Sequence, residues 1–281
     1  MKTELLTRWV ALLTPVLMLA GTAVQPASAT NLGSDLRFVT AELPPYTFQV
    51  PPATVAEVPG PGQGLVHEAV AEMAKRLKTS IAIEYMDWDG AQKLALSEPN
   101  VGILSITRTP EREEHYEWCC RIVTDDLILV GGQGVDVSSL EKVRDRPIGV
   151  LFHSGAEALV RSLGFSRIHP SPEEWLNATY MKDRRIDAWL APRLMVIHAY
   201  KEIGADASTL NFGQIVRPSE IYLAFSKGTP EAEAARWAGA LKSMQDDGTL
   251  DAILARYSRL KVESIPDDRR RVTPGSILWN N

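Results

Sequence analysis

Apolar residues along this chain switch their period repeatedly, and that switching limits the possible folds more than any other feature. Leu36-Arg-Phe-Val-Thr40 is a short β-rich run. Gly64 to Lys78 then sets Leu65, Val66, Ala69, Val70, Met73, Ala74 and Leu77 at helical spacing, and Ile81 to Met86 alternates as a strand does. Asp89 to Ser97 predicts a second helix, and Asn100-Val-Gly-Ile-Leu-Ser105 a buried strand. Parallel strands need crossover connections, so this β-α-β-α-β order predicts an α/β unit with a parallel, doubly wound sheet. Val50 to Gly62 is too rich in Pro and Gly for regular structure and is expected to form a surface loop.

A second unit of the same kind begins after Gly131-Gly-Gln-Gly134. Pro147 to Phe152 predicts a strand, and His153-Ser154-Gly155 leads into a helix from Ala156 to Leu163. A helix over Glu173 to Asp183, a strand over Ile186 to Ala191 and a helix over Arg193 to Ile203 follow. Glu220 to Ser226 has alternating faces, and Pro230 to Tyr257 predicts two helices broken at Asp247-Gly248. Residues 260–281 carry charges and prolines and are expected to form a tail.

The amino terminus has its own logic. Lys2 and Arg8 precede the apolar run Val10 to Gly21, and Ala27-Ser-Ala29 fits the small-x-small cleavage rule. The run is short for a bilayer and contains Pro15, so residues 1–29 read as a cleaved signal peptide of an exported, periplasmic protein rather than as an anchor. The 281 residues carry 30 Lys plus Arg against 35 Asp plus Glu, and this acidic balance argues against nucleic acid as a partner. The two cysteines, Cys119 and Cys120, are adjacent. A bond between them would close almost no loop, so two partly buried thiols are expected. Gly60-Pro-Gly-Gln-Gly64 lacks the Lys-Ser/Thr of a phosphate loop, and the five His have no zinc-binding spacing. Neither a cofactor nor a metal is expected.

Gly64-Leu-Val-His-Glu68, Met86-Asp-Trp88, Ser105-Ile-Thr-Arg-Thr-Pro-Glu-Arg112, Leu140 to Val150 and Asp246 to Leu254 appear in the order and spacing of one known family. Over roughly residues 36 to 259 the chain resembles the family 3 periplasmic solute-binding proteins, best known as receptors of amino-acid ABC transporters. The Arg108-Thr-Pro-Glu-Arg-Glu113 form resembles a branch whose ligands are mostly unassigned. The resemblance implies a type II periplasmic-binding-protein fold, with two doubly wound α/β lobes joined by two crossover strands and a ligand in the cleft between them. Lobe one would combine residues 35–125 with 222–259, and lobe two would be 126–221. The implied protein is a monomer that hands a small polar solute to an inner-membrane ABC permease.

The same resemblance nominates site residues. Arg112 would clamp a ligand carboxylate, which a planar, permanently charged guanidinium does well; on composition alone, pairing with Glu113 or another surface acid is the more frequent role. Thr107 would offer a hydroxyl and Ser105 a backbone group. Arg108 is either a second anion contact or an outward charge. Ser154 and Gly155 lie where a helix amino terminus presents free N–H groups, and Ser154 also suits an ordinary N-cap. Tyr46 and Trp88 stand where the family places rings against the ligand, though lone aromatics also serve cores. His153 is expected to be packed or solvated, Trp118 to pack near the hinge, and Trp189 to face core or cleft. Amino-acid binders of the family usually carry an acid just past the strand over Ile186 to Ala191. Pro192 stands there instead, with Arg193 beside it, so the ammonium clamp is missing unless Glu42 or Glu68 replaces it. A carboxylate or another small anion is the expected solute. The competing readings are a periplasmic dehydratase of prephenate-like acids, for which Glu42 or Glu220 would be the acid, and a receptor for a separate sensor protein.

Overall fold

The computed structural model describes residues 36–49 and 62–258. The expected signal peptide, almost all of the Pro/Gly-rich segment and the C-terminal tail lie outside the described residues.

One mixed sheet of eight strands organises the chain, in the order β4-β1-β5-β10-β6-β9-β7-β8. On one side, β1 (Arg37–Thr40) pairs in parallel with β4 (Ile83–Tyr85) and β5 (Val101–Thr107). On the other, β7 (Ile148–Leu151) pairs in parallel with β8 (Ile168–Ser171) and β9 (Ala188–Pro192). The two sides meet through β6 (Tyr116–Gly131) and β10 (Asn211–Ser226), sixteen residues each. These run antiparallel from Asn211 opposite Gly131 to Ser226 opposite Tyr116. They are long enough to belong to both lobes at once. A small pair, β2 (Phe48–Gln49) with β3 (Gly62–Gln63), lies apart from this sheet.

Helices cover both faces of each half, as doubly wound sheets require. In the first half, α1 (Leu65–Arg76) packs with α6 (Glu231–Asp246) and α7 (Thr249–Ser258), and α2 (Trp88–Ser97) covers the opposite face. Trp237, fully buried, holds α6 on the sheet with its ring centroid 4.9 Å from that of Phe38. Such an aromatic pair adds about 0.5–1.5 kcal/mol beyond its area burial. In the second half, α4 (Glu174–Lys182) and α5 (Arg193–Glu202) pack on one face and α3 (Gly155–Ser162) on the other. The predicted break between the last two helices falls at Gly248, whose φ of 78° suits a residue without a Cβ.

Three differences from the sequence expectations have physical reasons. The strand predicted from Glu220 begins at Asn211, because β10 follows its partner β6 through Gly213 and Pro218, residues that by themselves oppose strand structure. The edge strand β8, with Pro170 inside it, gave no β pattern to read. Cys119 and Cys120 form a vicinal disulfide instead of two thiols. The ladder skips Cys119, since Leu223 pairs with Cys120 and Ala224 with Trp118, and a bulge of this kind breaks the alternation that would send neighbouring side chains to opposite faces.

Candidate functional site

The carboxyl ends of β1, β5, β7 and β9 converge where β6 and β10 cross between the halves, and a cleft opens there. Its inner part is a cavity of about 50 Å³, room for only a few waters. Leu43, Leu127, Leu151, Met195 and Ile221 make its apolar wall. The outer part is roomier, about 440 Å³, and Glu42, Asp87, Asp89 and Glu173 stand around it.

The turn after β5 aims Arg112 into the inner cavity. Pro110 starts a 3-10 turn over Pro110–His115, whose third residue is Arg112. The guanidinium donates to the carbonyl of Thr107 (3.2 Å), to Gln92 Oε1 (2.9 Å) and to the carbonyl of His153 across the cleft (3.2 Å). It lies 5.7 Å from the centre of the Trp88 ring. All its acceptors are neutral oxygens, so the positive charge has no carboxylate in contact among the described residues. Burial lowers its pKa, which marks a cation short of compensation.

The facing wall is the start of α3. Ser154 caps this helix by accepting from Glu157 N (3.2 Å), and a side chain on the next residue would crowd its neighbours. A Cβ at Gly155 would sit 3.1 Å from Thr109 Cγ2 and 3.4 Å from Arg217 Nη2. Glycine there allows both halves to meet against the free N–H groups of the helix.

Tyr46 forms part of the floor and is fixed by backbone geometry. Gly64 takes a φ of 112°, and a Cβ on it would lie 2.3 Å from the Tyr46 carbonyl. That close approach lets Leu65 N and Val66 N, at the start of α1, donate to the carbonyls of Pro45 (3.0 Å) and Tyr46 (2.9 Å). The buried Tyr46 hydroxyl donates to Asp125 Oδ2 on β6 (2.7 Å), and the same oxygen accepts from Leu194 N at the start of α5 (2.9 Å). Asp125 therefore ties both halves to a crossing strand. Burial raises the pKa of both groups.

The model of the bacterial extracellular solute-binding proteins, family 3, matches residues 40–259. The chain belongs to this family. No curated protein matches it in sequence. Among solved structures, a histidine kinase sensor domain similar to periplasmic binding proteins aligns with a TM-score of 0.70 at 14% identity, over 80% of this chain and 96% of that one. An ancestral arginine-binding protein bound to arginine aligns at 0.67 and 21%, over 79% and 98%. The ancestral amino-acid-binding protein AncCDT-1, a precursor of cyclohexadienyl dehydratase, aligns at 0.65 and 18%, over 79% and 94%. These likenesses carry the fold, which is the type II periplasmic-binding-protein fold.

In this solute-binding protein the cleft brings together Arg112, Thr107, Ser105, Trp88, Tyr46, Ser154 and Gly155. Ser105 has a φ of 60°, and its hydroxyl lies 3.1 Å from that of Thr47. Arg108 takes the second of its two expected readings, an outward charge, and is not brought into the cleft. It chelates Glu113 through two hydrogen bonds and lies 5.5 Å from the Trp118 ring and 5.7 Å from the Tyr222 ring, outside the cleft lining. Arg108 thereby takes the acid that Arg112 could have paired with.

The acids suggested from sequence also lie elsewhere. Glu42 lines the outer cleft, with both oxygens accepting from Gln49 N (3.2 and 3.0 Å). Glu68 bonds Arg256 and Tyr257, and Glu220 pairs with Arg121 at 2.6 Å. His153 is exposed and bonds Asp89 across the mouth of the cleft. Trp118, on β6, donates to the Glu113 carbonyl (3.0 Å). Trp189 is core, fully buried.

Three polar residues of the inner cleft were missed: Arg217, Ser219 and Glu174. Arg217 and Ser219 precede the predicted strand, so only the full length of β10 places them. Glu174, at the start of α4 and 5% exposed, accepts from Asn177 Nδ2 (2.7 Å) and Trp189 Nε1 (2.9 Å) through Oε2. Among the described residues its Oε1 has no partner. Burial pushes its pKa up to about 7. The faint sequence signal was an acid opening a helix, which also describes any ordinary first turn.

Proposed function

We propose that this protein is a periplasmic receptor that captures a small carboxylate-bearing solute between its lobes and delivers it to an ABC-type permease. Residues 35–125 with 222–259 form lobe one, and 126–221 form lobe two. Residues 1–29 are removed on export, and the mature protein acts as a monomer without enzymatic activity. The observation that carries the reading is Arg112. A guanidinium held in an apolar cleft by neutral oxygens, beside an aromatic ring and facing a helix amino terminus, is a ready-made carboxylate clamp. Thr107, Ser105, Trp88, Tyr46, Ser154 and Gly155 complete the contacts. A two-lobed fold of this kind can close over such a guest by hinge motion of its crossing strands.

Thermal unfolding of wild type and Arg112→Ala against amino acids, carboxylates and short polyols tests this. A solute at 100 times its Kd stabilises a receptor by about 2.7 kcal/mol, visible as a raised melting temperature. The shift should occur with a carboxylate and vanish in the variant. An equal shift in both proteins would refute the clamp.

Glu174 favours a second reading. A buried carboxyl titrating near neutrality beside an anion clamp suits a general acid, as the dehydratase alternative requires. Formation of aromatic product from a prephenate-like acid, lost in Glu174→Gln, would establish this reading over a pure binder.

A further inference from the structure

Arg217 lies on β10, where the crossing strand passes the start of α3. It is half-buried, lines the same inner cavity as Arg112, and makes no hydrogen bond or ion pair among the described residues. Its Nη2 reaches Gly155, and Arg112 reaches the carbonyl of His153 from the other side of the cleft, so both guanidinium groups close on the same short stretch at the start of α3. Burial lowers the pKa of both, and Arg217 acts on Arg112 as a nearby like charge. The carboxylate that influences both is Glu111, which is exposed and forms no ion pair with either.

Two half-buried cations side by side, without a contacting anion, are costly in an empty protein. The third charged group of the lining is Glu174, whose Oε1 is buried and unpartnered. In its neutral form Glu174 is a donor to an acidic guest. The wall between these groups is aliphatic, formed by Leu43, Leu127, Met195 and Ile221, and suits a short carbon skeleton. The four carboxylates of the outer mouth are exposed or half-buried, and salt screens such charges beyond ~8 Å at physiological ionic strength.

We infer that Arg217 is a second anion-binding residue and that Arg112 and Arg217 together select a small dicarboxylate. This rests on the receptor reading and names its solute class. One acidic group sits on Arg112, the other on Arg217 beside the amides of α3, and the carbon chain crosses the aliphatic wall.

Calorimetric titration of the protein with matched pairs tests it: succinate against butyrate, glutamate against glutamine, with arginine as a cationic control. Each diacid should bind at least about tenfold tighter than its monoacid partner, the value of one charge-assisted bidentate contact. Arg217→Gln should reduce that ratio to below about threefold, while Arg112→Gln weakens every acid. Arg217→Lys keeps the charge without the fork and should give an intermediate ratio; it also serves if the Gln variant fails to fold. Butyrate, glutamine or arginine binding as tightly as the diacids, still dependent on Arg112, would overturn the dicarboxylate and leave the receptor reading standing. Failure of every acid to bind wild type at millimolar concentration would overturn both.

Discussion

The inner and outer parts of the cleft share Leu43, Trp88 and Leu151 and are chemically opposite. Inside, two guanidinium groups lack carboxylate partners, and a buried carboxyl keeps one oxygen unsatisfied. Outside, the charges are acidic and wet, and most already have a local partner: Glu42 takes Gln49 N, Asp87 caps α2 through Gly90 N, and Asp89 meets His153. Within the cleft, the unmet bonding capacity lies in its inner part. Exposed charges lose little by being alone, whereas buried ones are left for a guest to satisfy.

Substitutions grade this contrast by size. The largest effect is expected at Trp189→Ala, which hollows the wall behind the inner cleft and removes the indole donor to Glu174. A loss of roughly 3–5 kcal/mol should appear in urea unfolding. A loss below 1 kcal/mol would mean that the inner wall is not a rigid support.

Glu174→Gln comes next, through pH. The folded pKa of Glu174 is raised, so the folded state holds its proton more tightly than the unfolded one. The stability linked to that proton is complete below about pH 4.5 and is lost as pH rises to about 7 and a little beyond. Relative to wild type, the Gln variant should gain roughly 2–4 kcal/mol between pH 4.5 and 8. A pH-independent difference between the two proteins would show that Glu174 does not titrate there. Asn177 and Trp189 touch this carboxyl, and Tyr46 faces it.

Tyr46→Phe leaves the ring in the floor but removes the hydroxyl that Asp125 accepts from. About 1–3 kcal/mol should be lost in denaturant, because a buried carboxyl loses a donor. Asp89→Asn on the outer rim should change stability by less than about 0.5 kcal/mol, as exposed pairs generally do. An outer effect as large as the inner ones would dissolve the distinction.

The helices α1, α2, α4 and α6 were legible because each sets a buried and a wetter face at helical period, and that pattern is local, while α5 is buried or half-buried along most of its length. Arg112 itself was nominated by the motif from Ser105 to Arg112 through the family resemblance, whereas the turn that presents it was not read from the sequence. Arg108 shows the limit. Four residues from Arg112 and chemically identical to it, it differs only in facing Trp118, Tyr222 and Glu113. Those neighbours come from β6, β10 and the same turn, and no window of sequence contains them together. Arg217 was missed for the same reason, because Gln214, Arg217 and Pro218 do not look like a strand until β6 pairs with them.

By itself, the sequence determined the alternation of strands and helices, because that follows from spacing along the chain, while the guanidinium after β5 was nominated by the family resemblance. The tertiary structure alone decided which arginine enters the cleft, that Glu174 is buried there with an unmatched oxygen, and that Arg217 stands beside Arg112. Burial and the company of other charges are properties of where segments meet, and those meetings join elements such as β10 and the turn after β5 that are far apart in the sequence.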